Sequence, residues 1–369
     1  MSSTDNTAQA STAFIFEDDI KNLLNDIDFT DESFIPSEVH QTQTILDKTK
    51  LNEPFGDSHL QKDPGHDRWY LQNVNGVKPE LQWIDWKQKM QALQDAQVDG
   101  FSFTETNLRW TPEQTQTARA LGRKWFRQLR LATSSSNDPT TRKAYQPGGT
   151  CTGVMNNLAG RITTQGCDPS GLGRWTHVCL EGKIIATENT NDHEHRQIYT
   201  ITGYCPPQHD SSSNPGDDTA FMQQKRLLTM QGVTNPRPRH QWFEDLTKQI
   251  TEWQSTEADI LLCMDANADE FQKLLADTGL VDLMAHQLGN QLPETYNRGS
   301  TTLDHCFGSP RLAKAVERAG YLAYNDGIPT DHRGMFLDFN RNLLFGAQQH
   351  IVERPARNLS TKNKIGAKQ

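Results

Sequence analysis

Between Arg68 and Phe339 the chain is divided into short strand-like runs alternating with helix-length segments, and several of those runs stop on polar or acidic side chains. Trp69 to Val74 ends in Asn73-Val74-Asn75-Gly76, Val98 to Thr104 delivers Glu105, and Gln197 to Gly203 delivers Tyr204. Asp259 to Met264, apolar enough for a fully buried strand, delivers Asp265 and then Asn267. Asp304 and the pair Asp331-His332 read as further positions at the C-terminal ends of strands. A rigid sheet presents the side chains at its strand ends to a cleft, so the pattern requires a fold in which several strand ends meet.

The intervening text supplies the helices. Trp83 to Asp95 reads as helical, as do Thr219 to Met230, Arg239 to Trp253 and Arg311 to Ala319. Thr111-Pro112-Glu113-Gln114 is a helix start, with Thr as N-cap, Pro in the first turn and Gln closing a capping box; it predicts a helix to about Leu131. Ser134 to Gly148 is a polar loop, and short strands are expected at Thr150 to Met155, Arg174 to Leu180, Lys183 to Thr187 and Gly334 to Phe339. Strands outnumber helices but alternate with them, which implies an α+β layered sandwich with helices outside. Eight Trp and 34% hydrophobic content in 369 residues allow a packed core. No apolar run approaches the roughly 18 residues of a membrane span, and the first residues lack the basic-then-apolar order of a secretory signal. The six Cys are scattered without metal spacing and read as buried free thiols.

Charge is unevenly spread. Residues 1–66 hold thirteen Asp or Glu against four Lys, which accounts for the whole net charge of −9. This acidic arm lacks the apolar density to fold alone and is expected to be mostly disordered. Within it Phe14, Ile15, Phe16, Ile20, Leu23, Leu24 and Ile27 recur at near-helical spacing. An acidic amphipathic helix over 14–29 either docks on a protein partner or packs on its own domain. Residues 67–340 form the globular body, and 341–369 a basic tail with six Lys or Arg against Glu353.

A phosphodiester is already an anion, so an attacking water needs a base and the departing oxyanion needs a cation. Carboxylates beside His or Asn are the residue types for that work, as in Met264-Asp265-Ala266-Asn267, Leu303-Asp304-His305 and Thr330-Asp331-His332. Singly each is unspecific: Asn73 and Asn75 before Gly76 suit a turn, Asp304-His305 a loop, and Tyr204 a core ring. In order, Asn-Val-Asn-Gly, Thr-Glu-Thr, Gly-Tyr-Cys-Pro, Met-Asp-Ala-Asn, Leu-Asp-His and Thr-Asp-His resemble the endonuclease/exonuclease/phosphatase superfamily, the group of DNase I and the apurinic endonucleases. Within it the chain looks most like the endonuclease domain of LINE-type (non-LTR) retroelements. The resemblance spans about residues 68–340 and implies a DNase I-like four-layer α/β/β/α sandwich of two packed mixed β-sheets.

It also implies roles. Glu105 is similar to the main Mg²⁺ ligand, with Mn²⁺ as the alternative ion and with Asn73 and Asp331 at the metal or phosphate; carboxylate and amide oxygens suit a hard cation. His332, held by Asp304, resembles the imidazole that contacts the scissile phosphate. Asp265 would orient or deprotonate water, and Asn267 and Tyr204 would stabilise the transition state, with Asn75, Thr295 and Thr330 in support. Which of Asp265 and His332 takes the proton is open at this point. Asn75 stands where apurinic endonucleases usually carry Asp, which puts efficient abasic-site repair in doubt, and His305 in place of Tyr favours the retroelement group. The implied activity is Mg²⁺-dependent nicking of DNA to 3′-OH and 5′-phosphate ends in an intracellular, nuclear setting. Same-fold phosphoesterases acting on RNA, lipid or inositol phosphates, and a non-catalytic binding protein, are the alternatives. Trp110, Trp175 and Trp242 are candidates to stack on bases, Trp125 and Trp253 to fill the core.

Overall fold

The computed structural model describes residues 53–138, 144–186, 193–208, 219–267 and 270–346, so the stretch 14–29 and most of the basic tail lie outside the described residues. Two mixed sheets dominate. One holds β1 (Phe55–Gly56), β2 (His66–Asn73), β3 (Gly100–Thr104), β4 (Leu129–Ser134), β5 (Thr150–Met155), β12 (Val316–Tyr321) and β13 (Met335–Asn340), in the order β1-β12-β13-β2-β3-β5-β4. The other holds β6 (Ile162–Cys167), β7 (Trp175–Ala186), β8 (His193–Tyr204), β9 (Asp259–Asp265), β10 (Val281–Asp282) and β11 (Asp304–Gly308), in the order β10-β11-β9-β8-β7-β6. Among the described strands, only β2 with β3 and β8 with β9 pair in parallel.

Alternation along the strands sets the layers. Trp69 and Leu71 of β2 and Leu261 and Cys263 of β9 face the space between the sheets, where they meet Val154, Val178 and Leu337. The opposite faces are covered by helices. On the first sheet, α1 (Glu80–Asp95) and α2 (Pro112–Gly122) put Trp86, Met90 and Ala118 against Phe101 and Phe103. Two short segments follow in the chain, α3 (Asn156–Ala159) and α4 (Ala220–Met230). On the second sheet, α5 (Pro238–Gln254) and α6 (Phe271–Thr278) put Trp242, Leu246, Ile250 and Leu274 against Ile201, Ile260 and Leu262. The expected four-layer α/β/β/α sandwich is thus present. The remaining helices, α7 (Leu283–Leu288), α8 (Pro310–Ala315) and α9 (Arg341–Phe345), supply Leu283, Leu312 and Phe345 to the core between the sheets.

Several boundaries differ from the sequence reading. The capping box at Thr111 forms as expected, but α2 ends at Gly122 instead of near Leu131. The Gly122 position is too close to Leu129 for a Cβ, 2.4 Å from its Cδ2, and the chain returns as β4 with Leu129 and Leu131 buried around exposed Arg130. The helix expected over 311–319 stops at Ala315 because Arg318 to Tyr321 pair with β13. β6 was not expected at all: Ile-Thr-Thr-Gln-Gly-Cys is a mostly exposed edge strand with no apolar alternation. Trp175 and Trp242 belong to the core, leaving half-buried Trp110 of the three stacking candidates; its Nε1 donates to Thr106 Oγ1 at 2.9 Å. The fold also begins before residue 67 and continues past 340, since β1 pairs with β12 and α9 packs on the body. All six Cys are free and only Cys167 is exposed. No described helix is long and apolar enough to cross a membrane.

Candidate active site

Asn73, Glu105, Tyr204 and Asp265 leave the ends of β2, β3, β8 and β9 as the sequence reading expected. Asp304 and Asp331-His332 do not: Asp304 opens β11, and Asp331 and His332 precede β13. They reach the same place because β11 runs antiparallel to β9, pairing Asp304 with Asp265, and β13 runs antiparallel to β2, pairing Met335 with Leu71. Strand starts and strand ends therefore converge at one edge of the sandwich.

The polar groups there form a connected set. Asn73 Nδ2 donates to Glu105 Oε2 and to Asp265 Oδ2, both at 2.8 Å, while its Oδ1 accepts from the Asn75 backbone N–H at 2.9 Å. Asp265 Oδ1 accepts from the Asn267 N–H at 3.2 Å, and Asn267 Nδ2 donates to Cys205 O at 3.0 Å. His332 Nδ1 lies 2.7 Å from Asp304 Oδ2. Thr295 Oγ1 accepts from the backbone N–H groups of Leu303 and Asp304 at 2.9 and 3.0 Å, which fixes the entry to β11. Thr330 Oγ1 donates to Asn73 O at 3.0 Å and accepts from the His332 N–H at 3.2 Å, tying the last loop to β2. Asn75 Nδ2 reaches Asp331 Oδ1 at 3.4 Å.

The exits from the strands are conformationally costly. Asn75, Glu105, Asn107 and Asn267 all adopt left-handed backbone, with φ of 43°, 51°, 49° and 49°. Asn tolerates this region, whereas for Glu105 it costs on the order of 1 kcal/mol or more. The Glu105 turn is held by neighbours: its carbonyl accepts from the Gly76 N–H at 2.9 Å, and Asn107 N–H donates to Gly148 O at 2.8 Å. Asn107 was not singled out from the sequence. Its Nδ2 donates to Glu105 Oε1 at 3.3 Å and its Oδ1 accepts from the Gly148 N–H at 2.9 Å, so it orients the second oxygen of Glu105. Its place two residues beyond a strand-end acid was the only clue available.

Electrostatically the cluster is short of positive charge. Asp265, Asp304 and Asn73 are fully buried, and His332 is 6% exposed. Burial, then the charge of Asp304, raises the Asp265 pKa well above the usual carboxylate range. Burial likewise raises Glu105, and the nearby Asp331 charge adds to it. For His332, burial opposes the charged ring, but the charge and hydrogen bond of Asp304, with Asp265 and Asp331 behind, push its pKa up to about 10. The Tyr204 phenol is raised well above 10.0 by burial and by Glu105 and Asp265, and so stays protonated. Asp304 Oδ1 is buried without a hydrogen-bond partner among the described residues.

Two sets of groups could hold a metal. Ligand atoms of Asp265, Asp304 and His332 lie within 4.8 Å of one another, but the short Nδ1 to Oδ2 contact is already satisfied as a hydrogen bond. Glu105, with each oxygen taking a single amide donor, and Asp331, beside Asn73 and Asn75, make an oxygen-only donor set in which a carboxylate is disfavoured by burial until a cation neutralises it. That set fits Mg²⁺ or Mn²⁺.

No protein-family model and no curated protein sequence matches the chain. Solved structures do. The AP endonuclease LMAP from Leishmania major is 13% identical, over 80% of this chain and 95% of that one, with a TM-score of 0.50. A 3′ phosphatase, NExo, from Neisseria, solved with a product DNA hairpin, is 15% identical over 74% and 99%, with a TM-score of 0.49. The endonuclease domain of TRAS1, a telomere-specific non-LTR retrotransposon, is 13% identical over 75% and 99%, with a TM-score of 0.40. The likeness to LMAP is one of fold, and with the two packed sheets and their covering helices it shows that the chain has the DNase I-like fold.

Proposed function

We propose that the protein is a metal-dependent phosphodiester hydrolase, and specifically an endonuclease that nicks DNA to 3′-OH and 5′-phosphate ends. The observation that carries this reading is the meeting of Glu105, Asn73, Asp265 and the Asp304–His332 pair at one edge of the sandwich, with more buried carboxylates than cations. Such a site suits a ligand that brings a metal ion with it and whose own phosphate is met by a charged imidazole.

In this reading Glu105 and Asp331, with Asn73 and Asn75 beside them, hold Mg²⁺, or Mn²⁺ in its place. The ion, when bound, supplies positive charge to the phosphate and the leaving oxygen. His332, with Nδ1 committed to Asp304 and a pKa of about 10, is charged near neutral pH and steadies the phosphate rather than taking a proton. The proton of the attacking water then falls to Asp265, whose carboxylate is made more basic by burial and by Asp304 and is aimed by Asn73 and the Asn267 N–H. Tyr204 as a protonated phenol and Asn267 as an amide donate to the pentacovalent anion. Thr295 and Thr330 position Asp304 and His332.

The test is conversion of supercoiled plasmid to open circle with Mg²⁺. Wild type should nick, EDTA should abolish nicking, and Glu105→Ala and His332→Ala should each lose roughly 10²–10⁴-fold in rate. Absence of nicking by the wild type, or full activity in both variants, would sink the reading.

A further inference from the structure

Residues 114–137 hold five Lys or Arg and no Asp or Glu, in a body whose charges balance overall. The bases are Arg119, Arg123, Lys124, Arg127 and Arg130, and the fold gathers them at the end of α2, in the turn that follows and at the start of β4. Arg119 and Arg123 stand four residues apart on one face of the helix end, where the Arg123 N–H donates to Arg119 O at 3.3 Å. The N–H groups of Trp125 and Phe126 donate back to Gly122 O at 3.0 and 3.2 Å, which closes a tight turn with Arg123, Lys124 and Arg127 exposed. Arg130 is exposed between buried Leu129 and Leu131.

None of these five side chains is paired with a carboxylate among the described residues. The end of α1 packs beside the turn: Trp125 Nε1 donates to Gln91 Oε1 at 2.6 Å, and Gln94 Nε2 donates to Trp125 O at 3.3 Å. The acid in that last turn of α1, Asp95, accepts from Gln91 Nε2 at 2.7 Å and neutralises none of them. Arg127 is fixed through its backbone, whose N–H donates to Asn156 Oδ1 at 3.1 Å. The turn is therefore held by backbone and amide bonds while its cationic side chains stay free, which raises a positive potential on a rigid support. A row of guanidinium groups around an ammonium suits a ligand with many anionic oxygens at short intervals, as a phosphate backbone has.

This ridge is not part of the catalytic edge. Thr104 and Ser134 both pair with Thr150 at the edge that presents Glu105, whereas Leu129 pairs with Met155 at the other end of β4. At about 3.4 Å per residue the two ends of β4 lie about 17 Å apart. A segment whose scissile phosphate rests at Asp265 and His332 would have to turn round the end of the sheet to lie along the ridge. We infer that the ridge from Arg119 to Arg130 is a second nucleic-acid site, which holds the phosphate backbone of a segment other than the one at the catalytic edge. The inference goes beyond the nuclease reading and needs no metal, because the ridge carries its own positive charge. Contact with phosphate carries no base information, so the second site adds affinity without sequence preference.

The experiment measures the dissociation constant of a DNA duplex of about 10 base pairs, one helical turn, for the full chain in EDTA across a salt series. Each phosphate contact contributes about 0.9 to the slope of log affinity against log salt. The triple variant Arg123→Gln, Lys124→Gln, Arg127→Gln should lower that slope by about 2–3, whereas Arg123→Lys with Arg127→Lys should keep it. Lys248→Gln, Lys273→Gln and Lys314→Gln together make the same charge change at exposed positions of α5, α6 and α8 and should leave the slope unaltered. The substituted ridge side chains are exposed, so the triple variant should keep the wild-type urea midpoint. An unchanged slope in the triple variant, or an equal fall in the control, overturns the second site. So does poly-glutamate binding wild type in EDTA as tightly as the duplex, which would make the ridge a site for acidic protein. Plasmid nicking in Mg²⁺ is a separate readout: a wild type that nicks while the triple variant keeps the full slope removes the ridge and leaves the nuclease reading, and a wild type that never nicks while the slope falls as expected does the reverse.

Discussion

Two of the buried clusters of charge among the described residues are built on opposite rules. At one, Arg68 and Asp338 are both fully buried and face each other across β2 and β13. Arg68 Nε and Nη2 meet the two carboxylate oxygens at 2.6 and 2.7 Å, and the remaining donors reach Ala96 O, Gln61 O and His59 O. Each Arg68 guanidinium nitrogen has an acceptor, and Arg318 Nη1 stands 3.9 Å from the same Asp338 carboxylate. At the other, Glu105, Asp265 and Asp304 share one imidazole, an Asp304 oxygen has no partner among the described residues, and two of the carboxyls are held above their ordinary range by burial. A closed, paired cluster holds elements together; an open, under-neutralised one costs stability, and in the function proposed above a cation and an anionic ligand would complete it.

Exchanging the two kinds of cluster tests the contrast most severely. Glu105→Gln should lower nicking by roughly 10³-fold, about 4 kcal/mol of transition-state stabilisation, while leaving the denaturation midpoint in EDTA equal to wild type or higher. Arg68→Met should do the reverse. It leaves buried Asp338 with only Arg318 Nη1 at 3.9 Å, at a cost of about 3 kcal/mol read from urea unfolding, while nicking per folded molecule is retained. A Glu105→Gln protein that unfolds as readily as Arg68→Met would erase the distinction between the clusters.

A smaller effect follows from titration in EDTA. The folded His332 pKa, about 10, lies above its reference value of 6.5, so the stability it contributes with Asp304 is fully present below about 6.5 and is lost as pH rises through about 10. The melting-temperature gap between wild type and Asp304→Asn should therefore be widest at pH 6 and narrow steadily toward pH 10. Glu105 acts in the other direction: its raised pKa means the unfolded chain releases the proton first, so its burial costs stability once pH passes the reference 4.5. Glu105→Gln should gain on wild type from that point upward. A gap that stays constant from pH 6 to pH 10 would mean that the Asp304–His332 pair does not titrate as a unit.

The open cluster was more legible in the sequence than the closed one, and the reason is local. Asn73, Glu105, Tyr204 and Asp265 each end an apolar run, so a strand pattern alone exposes them. Arg68 and Asp338 sit inside strands, 270 residues apart, and nothing short of the β2–β13 register brings them together. The direction of β11 and β13 was hidden for the same reason: Asp304 and His332 were read as strand ends, whereas antiparallel pairing makes them strand starts. Edge strand β6 escaped because an exposed edge has no apolar alternation to betray it, and the end of α2 because only packing of Gly122 on Leu129 marks it. Which residues could do chemistry was readable; which way the chain approached them was a property of long-range pairing.

The weakest perturbation is the most useful control. The capping box at α2 is a purely local device: Thr111 Oγ1 accepts from the Gln114 N–H at 3.2 Å, and Gln114 Oε1 accepts from the Thr111 N–H at 3.2 Å. Thr111→Ala removes one of the two and should cost about 1 kcal/mol, seen as a small shift in the urea midpoint with an unchanged slope. Because α2 packs on the outer face of the first sheet through Ala118, while Glu105 is oriented by Asn73 and Asn107, that loss should not reach the site. Nicking by Thr111→Ala should match wild type at 25 °C. If a loss of only about 1 kcal/mol in the covering layer lowered activity, the geometry at the sheet edge would depend on overall stability, and the effects of Glu105→Gln and Arg68→Met could no longer be assigned to their own clusters.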